Sequence, residues 1–372
     1  MVANMEFNDL KRQQKKCELD LRRNIDAVLY YGQYINGPQV GEIESLLAEY
    51  VGVKHAVSCG SGTDALVLAL MAAGVGPNDA VFTTAFSFVA AAEAIAIVGA
   101  NPFFIDIDPR TFNIDPHCLK KEIESVAENT LWNTKAIIPV NLFGLPCDYN
   151  KINKIAAKYK LLVIEDMAQS FGAEYCAMKS GDLADIGCAS FFPSKPLGCY
   201  GDGGMVFTGN GICAATIKSL KQHGKSSAGK YHNERIGMNS RLDTIQAAIL
   251  LTKFKMFDDE RAARVINAEH YKNKIENLNY IEMQYIPPMR TSAHAQFPIL
   301  LPDRYIRNEI MRKFEAEDIP YQIYYPATIP EMPPYRSPLC VNAIDISNRI
   351  LCLPFSPYMD FEEIDRVYQC LK

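Results

Sequence analysis

No apolar run in this 372-residue chain approaches the roughly 20 residues that span a bilayer. The longest, "FVAAAEAIAIVGA" from Phe88, is too short and carries Glu93. The first twenty residues are polar, so a secretory leader is not expected. Eleven cysteines, an odd number, are scattered without CxxC or CxxxxC spacing. That pattern argues against a disulfide framework and against a zinc site, and for a reducing compartment. An excess of positive charge is also missing. At a net charge of −5 there is no electrostatic reason to expect nucleic acid or an anionic membrane as partner. Tandem repeats and low-complexity tracts are absent. What remains is a cytoplasmic globular chain, long enough for one large domain and a smaller one.

From residue 55 short β-rich runs ("HAVSC", "AVFTT", "PFFIDI", "KAIIPV", "LLVIED") alternate with helix-like stretches. Such alternation predicts βαβ crossovers and a mostly parallel, buried sheet. "GCASFF" and "GMVFTG" follow without a long helix between them and are expected to pair antiparallel in the same sheet. Upstream, "LKRQQKKCELDLRR" reads as the solvated face of a helix, a polyanion site being the lesser alternative. "GPQVGEIESLLAEYVG" has apolar residues at helical period, Pro38 near its start and Gly52 at its end. One long helical region is expected over residues 242–278. The division is placed at residues 1–261, with an N-terminal helical segment over 1–35, and 262–372, a smaller α+β domain.

"SCGSGTDALVLAL", residues 58–70, can be read in two ways. Gly60-x-Gly62-x-x-Ala65 fits the glycine turn of a dinucleotide site. A strand, a glycine turn and a helix also make an anion cup, because the first N–H groups and the positive dipole end face the ligand. The dinucleotide reading needs a carboxylate at the end of the next strand, about 20 residues on. That strand ends in Thr83, Thr84 and Phe86, with Asp79 at its other end. The requirement fails, and a phosphate cup for another cofactor remains, beside the plain alternative of a turn that only starts a helix.

Two later features give the cup a purpose. "LLVIED" ends in Asp166, and ligands of open α/β sheets bind at the carboxyl ends of strands. A buried Asp there is what keeps the pyridine nitrogen of pyridoxal phosphate protonated; an N-cap is the other use of such a residue. In "SFFPSKPLGCYGDGG", residues 190–204, Lys195 follows a β-like run and precedes a glycine-rich loop. Schiff-base chemistry needs a lysine held there with a lowered pKa. The GxxxxG of a Walker loop does not precede it.

On "GQYINGPQV", "SGTDAL", "DIDPRTFNIDP", "IIPVNLFG", "IEDMAQSFGA", "SFFPSKPLGCYGDGG" and "GMNSRLDTIQAAIL", the chain resembles the DegT/StrS-type nucleotide-sugar aminotransferases nearly end to end. The resemblance implies a fold-type I pyridoxal phosphate enzyme that uses L-glutamate to aminate a nucleotide-linked keto sugar. The branch acting at C3 of UDP-linked 3-keto N-acetylhexosamines or their uronates looks nearest, with a role in surface polysaccharide synthesis. It further implies that Lys195 carries the cofactor, Asp166 pairs with its ring nitrogen, Gln169 sits by the ring and Phe88 stacks on it. Gly62, Thr63 and Ser190 would hold the phosphate, and Asn239 would reach the cofactor of the neighbouring subunit in a homodimer with shared sites. Arg241 and Tyr324 are the candidates for substrate contact; capping of the helix near Leu242, shared with Asp243, is the plainer use of Asn239 and Arg241.

Three departures stand out. Ala91 replaces a frequent Thr, Met167 a small residue, and Tyr324 a His often found in the uronate-type relatives. A uronate carboxylate wants Arg or His donors, so uronate and neutral sugar both stay open. The rivals are a sugar dehydratase of the same fold, which generally has His in place of the lysine, and a non-catalytic sugar sensor, which has no need of Lys195, Asp166 and Gln169 together.

Overall fold

The computed structural model describes residues 5–129, 131–226, 228 and 231–372. In chain order, α1 (Leu10–Tyr31) and α2 (Pro38–Val51) precede β1 (His55–Cys59), α3 (Gly62–Ala72) and β2 (Asp79–Thr84). Then come α4 (Ala90–Ile97), β3 (Asn101–Ile105), α5 (Pro116–Glu128), β4 (Asn133–Ile138), α6 (Tyr149–Tyr159) and β5 (Leu162–Asp166). A two-residue-per-strand hairpin, β6 (Glu174–Tyr175) and β7 (Met178–Lys179), leads to β8 (Ile186–Ser190), β9 (Gly204–Thr208) and α7 (Gly211–Leu220).

The main sheet has seven strands in the order β1-β9-β8-β5-β4-β2-β3. All its pairings are parallel except those of β9, which runs antiparallel to both β1 and β8. The expected "GCASFF"/"GMVFTG" pair is thus present, with Ser190 opposite Gly204. β2 is buried along its whole length, as a parallel strand covered on both faces must be. Leu66, Leu68 and Leu70 of α3 fill one face with Val57, Val81 and Ile164. Val40, Ile43 and Leu47 of α2 pack with Phe171, Phe191 and Phe207 on the other.

The helical stretch expected over 242–278 is two helices, α8 (Thr244–Phe254) and α9 (Phe257–Ile275). The break falls at Lys255–Met256, and Asp258, Asp259 and Glu260 then form a new acidic first turn, favoured by the helix dipole. α9 passes from one core to another. Phe257 packs in the sheet core, whereas Ala268, Tyr271 and Ile275 join a second core with β10 (Glu282–Met283), β11 (Phe297–Leu300) and α10 (Arg304–Ala316). α11 (Val341–Arg349), β12 (Ile350–Leu353) and α12 (Phe361–Leu371) complete this part, whose sheet is antiparallel in the order β10-β11-β12. Among the described residues no helix is long and apolar enough to cross a membrane.

Candidate active site

β1, β5 and β8 run in the same direction, so their carboxyl ends lie along one edge of the sheet. The glycine turn between β1 and α3 is held in place by close packing. A Cβ on Gly62 would lie 2.6 Å from Ser190 Cβ, and one on Gly204 would lie 2.2 Å from the Ser61 carbonyl oxygen. Glycine is therefore required where the start of α3 meets the end of β8. Ser61 caps α3, its hydroxyl accepting from Asp64 N–H at 3.0 Å. Gly62 and Thr63 form the first turn of α3, whose free N–H groups and positive dipole end favour an anion. Behind the turn, Ser240 Oγ accepts from Gly60 N–H at 3.0 Å and donates to Asp64 Oδ2 at 2.6 Å. The neighbour of Asn239 thus pins the turn, while Asn239 itself is exposed.

Asp166 ends β5, buried, with Oδ1 accepting from Ala168 N–H at 3.1 Å. Burial pushes its carboxyl above the ordinary range, while the Ala168 N–H and the nearby Lys195 charge oppose that. Burial likewise lowers the Lys195 amine, opposed by the Asp166 carboxylate. Lys195 is half-buried. A carboxylate and an amine shifted by burial and each feeling the other's charge mark a candidate reactive site.

Gln169 is fixed at both ends: Oε1 accepts from Phe143 N–H at 2.6 Å, and Nε2 donates to Tyr325 Oη at 3.3 Å. Tyr325 packs edge-on against Phe86 and tilted against Phe88, whose ring remains 57% exposed at the mouth. Tyr324 turns instead toward Phe7, with ring centroids 6.1 Å apart. Tyr325 was not among the residues expected from the sequence; its only signal was its place in "IYYPA". Arg241 is half-buried near the glycine turn, with Nε buried and unpartnered. Asp243 occupies the N-cap of α8 without a side-chain cap bond, so capping does not account for it. Met167 and Ala91 are fully buried in the packing around the sheet.

Behind Asp166, Glu165 faces the other side of β5. Its Oε1 accepts from Ser180 Oγ and Asn141 Nδ2, and its Oε2 from the N–H groups of Gly181 and Leu183. A cavity of about 730 Å³ lies elsewhere, lined by Arg110, Tyr285, His294 and Gln296 and by neither Lys195 nor Asp166. The chemistry belongs with the charged pair.

An anion cup, a strand-end carboxylate and a half-buried amine suit pyridoxal phosphate, whose phosphate Gly62, Thr63 and Ser190 would hold, with Asp166 available to its ring nitrogen and Lys195 to its aldehyde. Fold and site together define a fold-type I α/β enzyme. The chain belongs to the DegT/DnrJ/EryC1/StrS aminotransferase family, which matches residues 16–372. It is 42% identical over 362 residues to the UDP-2-acetamido-2-deoxy-3-oxo-D-glucuronate aminotransferase of Pseudomonas aeruginosa, covering 97% of each chain. A DegT DnrJ EryC1 StrS aminotransferase from Brucella abortus superposes with a TM-score of 0.95 at 40% identity, covering 99% of this chain and 98% of that one. NtdA from Bacillus subtilis, solved with bound cofactor PMP, superposes at 0.90 with 30% identity, covering 100% and 85%.

Proposed function

We propose that the protein is a pyridoxal phosphate-dependent aminotransferase that moves an amino group from L-glutamate to the ketone of a UDP-linked 3-keto N-acetylhexosamine or its uronate. The observation that carries the reading is the α3 cup packed against Ser190, together with buried Asp166 at the end of β5 and half-buried Lys195, near enough to feel each other's charge. The 3-oxo sugar named for the Pseudomonas relative supports the substrate class.

When bound, pyridoxal phosphate supplies the electron sink that amino transfer requires. The cup residues Gly62, Thr63 and Ser190 bind its phosphate and fix its position. The Asp166 carboxylate holds a proton on the ring nitrogen placed before it. Gln169, clamped by Phe143 and Tyr325, orients the ring edge, and Phe88 covers its face. Lys195 Nζ, with its proton affinity lowered by burial, takes and returns the proton that moves during transfer. Arg241 and Tyr324 are assigned to the sugar side. A dehydratase or a sensor would leave this amine without its task.

We further place the division of the chain near residue 262, where α9 changes cores. The active unit is proposed as a homodimer. A groove of about 610 Å³, lined by Val67, Met71, Ile97 and Ile236, opens beside Thr63, and Ile236 is 90% exposed. Covering it with a second copy would bury apolar surface next to the cup and bring Asn239 toward the neighbouring site. Sedimentation equilibrium giving twice the chain mass supports this, and a monomer refutes it. Eleven free cysteines favour the cytoplasm.

The test of the substrate is mass spectrometry of UDP-linked 3-keto N-acetylglucosamine and its uronate after incubation with protein, cofactor and glutamate. The reading requires an amino sugar from at least one of them. If both ketones return unchanged while glutamate is consumed with another acceptor, the sugar assignment is wrong.

A further inference from the structure

The segment before α1 reaches into the active site from an unexpected direction. Asn8 Nδ2 donates to the carbonyl oxygen of Ser194 at 2.9 Å, across 186 residues of chain. Ser194 C=O belongs to the peptide unit that leads into Lys195. The other end of the same unit, Lys195 N–H, donates to Phe192 O at 2.9 Å. Both polar groups of this peptide plane are therefore held. The plane sets the direction in which the Lys195 side chain leaves the backbone.

The arm that carries Asn8 is anchored on the C-terminal part of the chain. Phe7 C=O accepts from Phe355 N–H at 3.0 Å, and the Phe7 ring packs edge-on against Tyr324. Met5 is buried in the core of β11, β12 and α12. Just beyond, Arg12 donates to Glu363 and to the carbonyl of Tyr358. The lysine loop is thus tied, through the arm, to the C-terminal part of the chain.

We propose that Asn8 is a positioning residue for Lys195: its amide fixes the Ser194–Lys195 peptide and makes the aim of the lysine depend on the docking of the N-terminal arm. The proposal rests on the role given to Lys195 above. An amide suits the task, because its N–H donates to the Ser194 carbonyl and a carboxylate in the same place has no proton to give. Asp in its place keeps the shape, removes the donor and sets a negative charge against the Ser194 oxygen. A displacement of about 1 Å at a reacting group costs up to ~100-fold in rate.

The experiment compares native protein, Asn8→Asp and Lys11→Ala. The last breaks the exposed pair that Lys11, at the start of α1, makes with Glu6 of the arm, at 3.0 Å. With cofactor bound, stopped-flow absorbance follows the reaction with glutamate as its concentration is varied. The expected result is a maximal rate lower by about tenfold in Asn8→Asp, with the half-saturating glutamate and the thermal midpoint matching Lys11→Ala. An unchanged maximal rate overturns the proposal. So does a rate that falls only in proportion to thermal stability, which would make the arm a structural tie. If native protein gives no reaction with glutamate, the transaminase reading has failed on its own. Borohydride-stable labelling of Lys195 by pyridoxal phosphate then decides: slower labelling in Asn8→Asp upholds the positioning role, and equal labelling removes it.

Discussion

Replacing Gly62 with Ala tests whether the cup is built by close approach. The new Cβ would sit 2.6 Å from Ser190 Cβ and 3.1 Å from Ser190 Cα and Oγ. Carbon atoms settle near 3.5–4.0 Å, so the overlap is about 1 Å. Ser190 has little room to retreat, since β8 is paired to β5 on one side and to β9 on the other. The start of α3 must therefore lift, carrying the Gly62 and Thr63 N–H groups away from the phosphate position. Overpacking of this kind costs roughly 1–3 kcal/mol. If the same displacement is felt by the bound phosphate, affinity for pyridoxal phosphate falls about 10- to 100-fold. Gly41, the fourth residue of α2, is the control: nothing lies within 4 Å of its added Cβ. Gly41→Ala should leave cofactor affinity unchanged and raise stability by up to ~1 kcal/mol. The assay is a cofactor titration of apo-protein followed by absorbance, with thermal unfolding alongside. A Gly62→Ala protein that binds the cofactor as tightly as the native one would refute the reasoning.

Asp166→Asn removes the charge that raises the proton affinity of Lys195. The pH limb on which apo-protein captures pyridoxal phosphate should move to lower pH, and glutamate-dependent turnover should drop by about 10²–10³; a limb moving upward would contradict the pairing. Lys253, buried with Nζ unpartnered over the Tyr200 ring, is lowered by burial to about 8 from 10.5. Between those values the unfolded chain keeps a proton that the folded one sheds, so stability rises with pH there. Lys253→Met should stabilise by roughly 1–3 kcal/mol below pH 8, with the gain fading toward pH 10.5 in urea melts; a gain independent of pH would be the wrong outcome. Glu165→Gln turns an NH2 group toward donors from Ser180 and Asn141 or from Gly181 and Leu183. It should destabilise by about 2–4 kcal/mol, and a neutral result would show the carboxylate is not required.

The alternating strands β1 to β5 were legible because buried parallel strands read as short apolar runs between helices, and the antiparallel β8–β9 pair because no crossover helix separates them. Strand order was not. β1 lies beside β9, a pairing some 150 residues apart in sequence that local pattern does not encode. Asp166 and Lys195 were legible for local reasons: Asp166 ends the apolar run of β5, and Lys195 stands between a β-like run and a glycine-rich loop. Gln169 was recognised only by family resemblance, and its partner Tyr325 lies 156 residues away. Asn8 reads as an ordinary residue ahead of a helix until the fold brings it to Ser194. The break at Lys255–Met256 was signalled by the acidic run at 258–260, which a continuous apolar period concealed.

The most direct test is the absorption spectrum of the purified protein with pyridoxal phosphate, before and after L-glutamate. The account predicts a band near ~420 nm, fixed by borohydride and absent in Lys195→Ala, that glutamate shifts toward ~330 nm. A protein that forms no lysine-dependent band, or whose band glutamate leaves untouched, would contradict it.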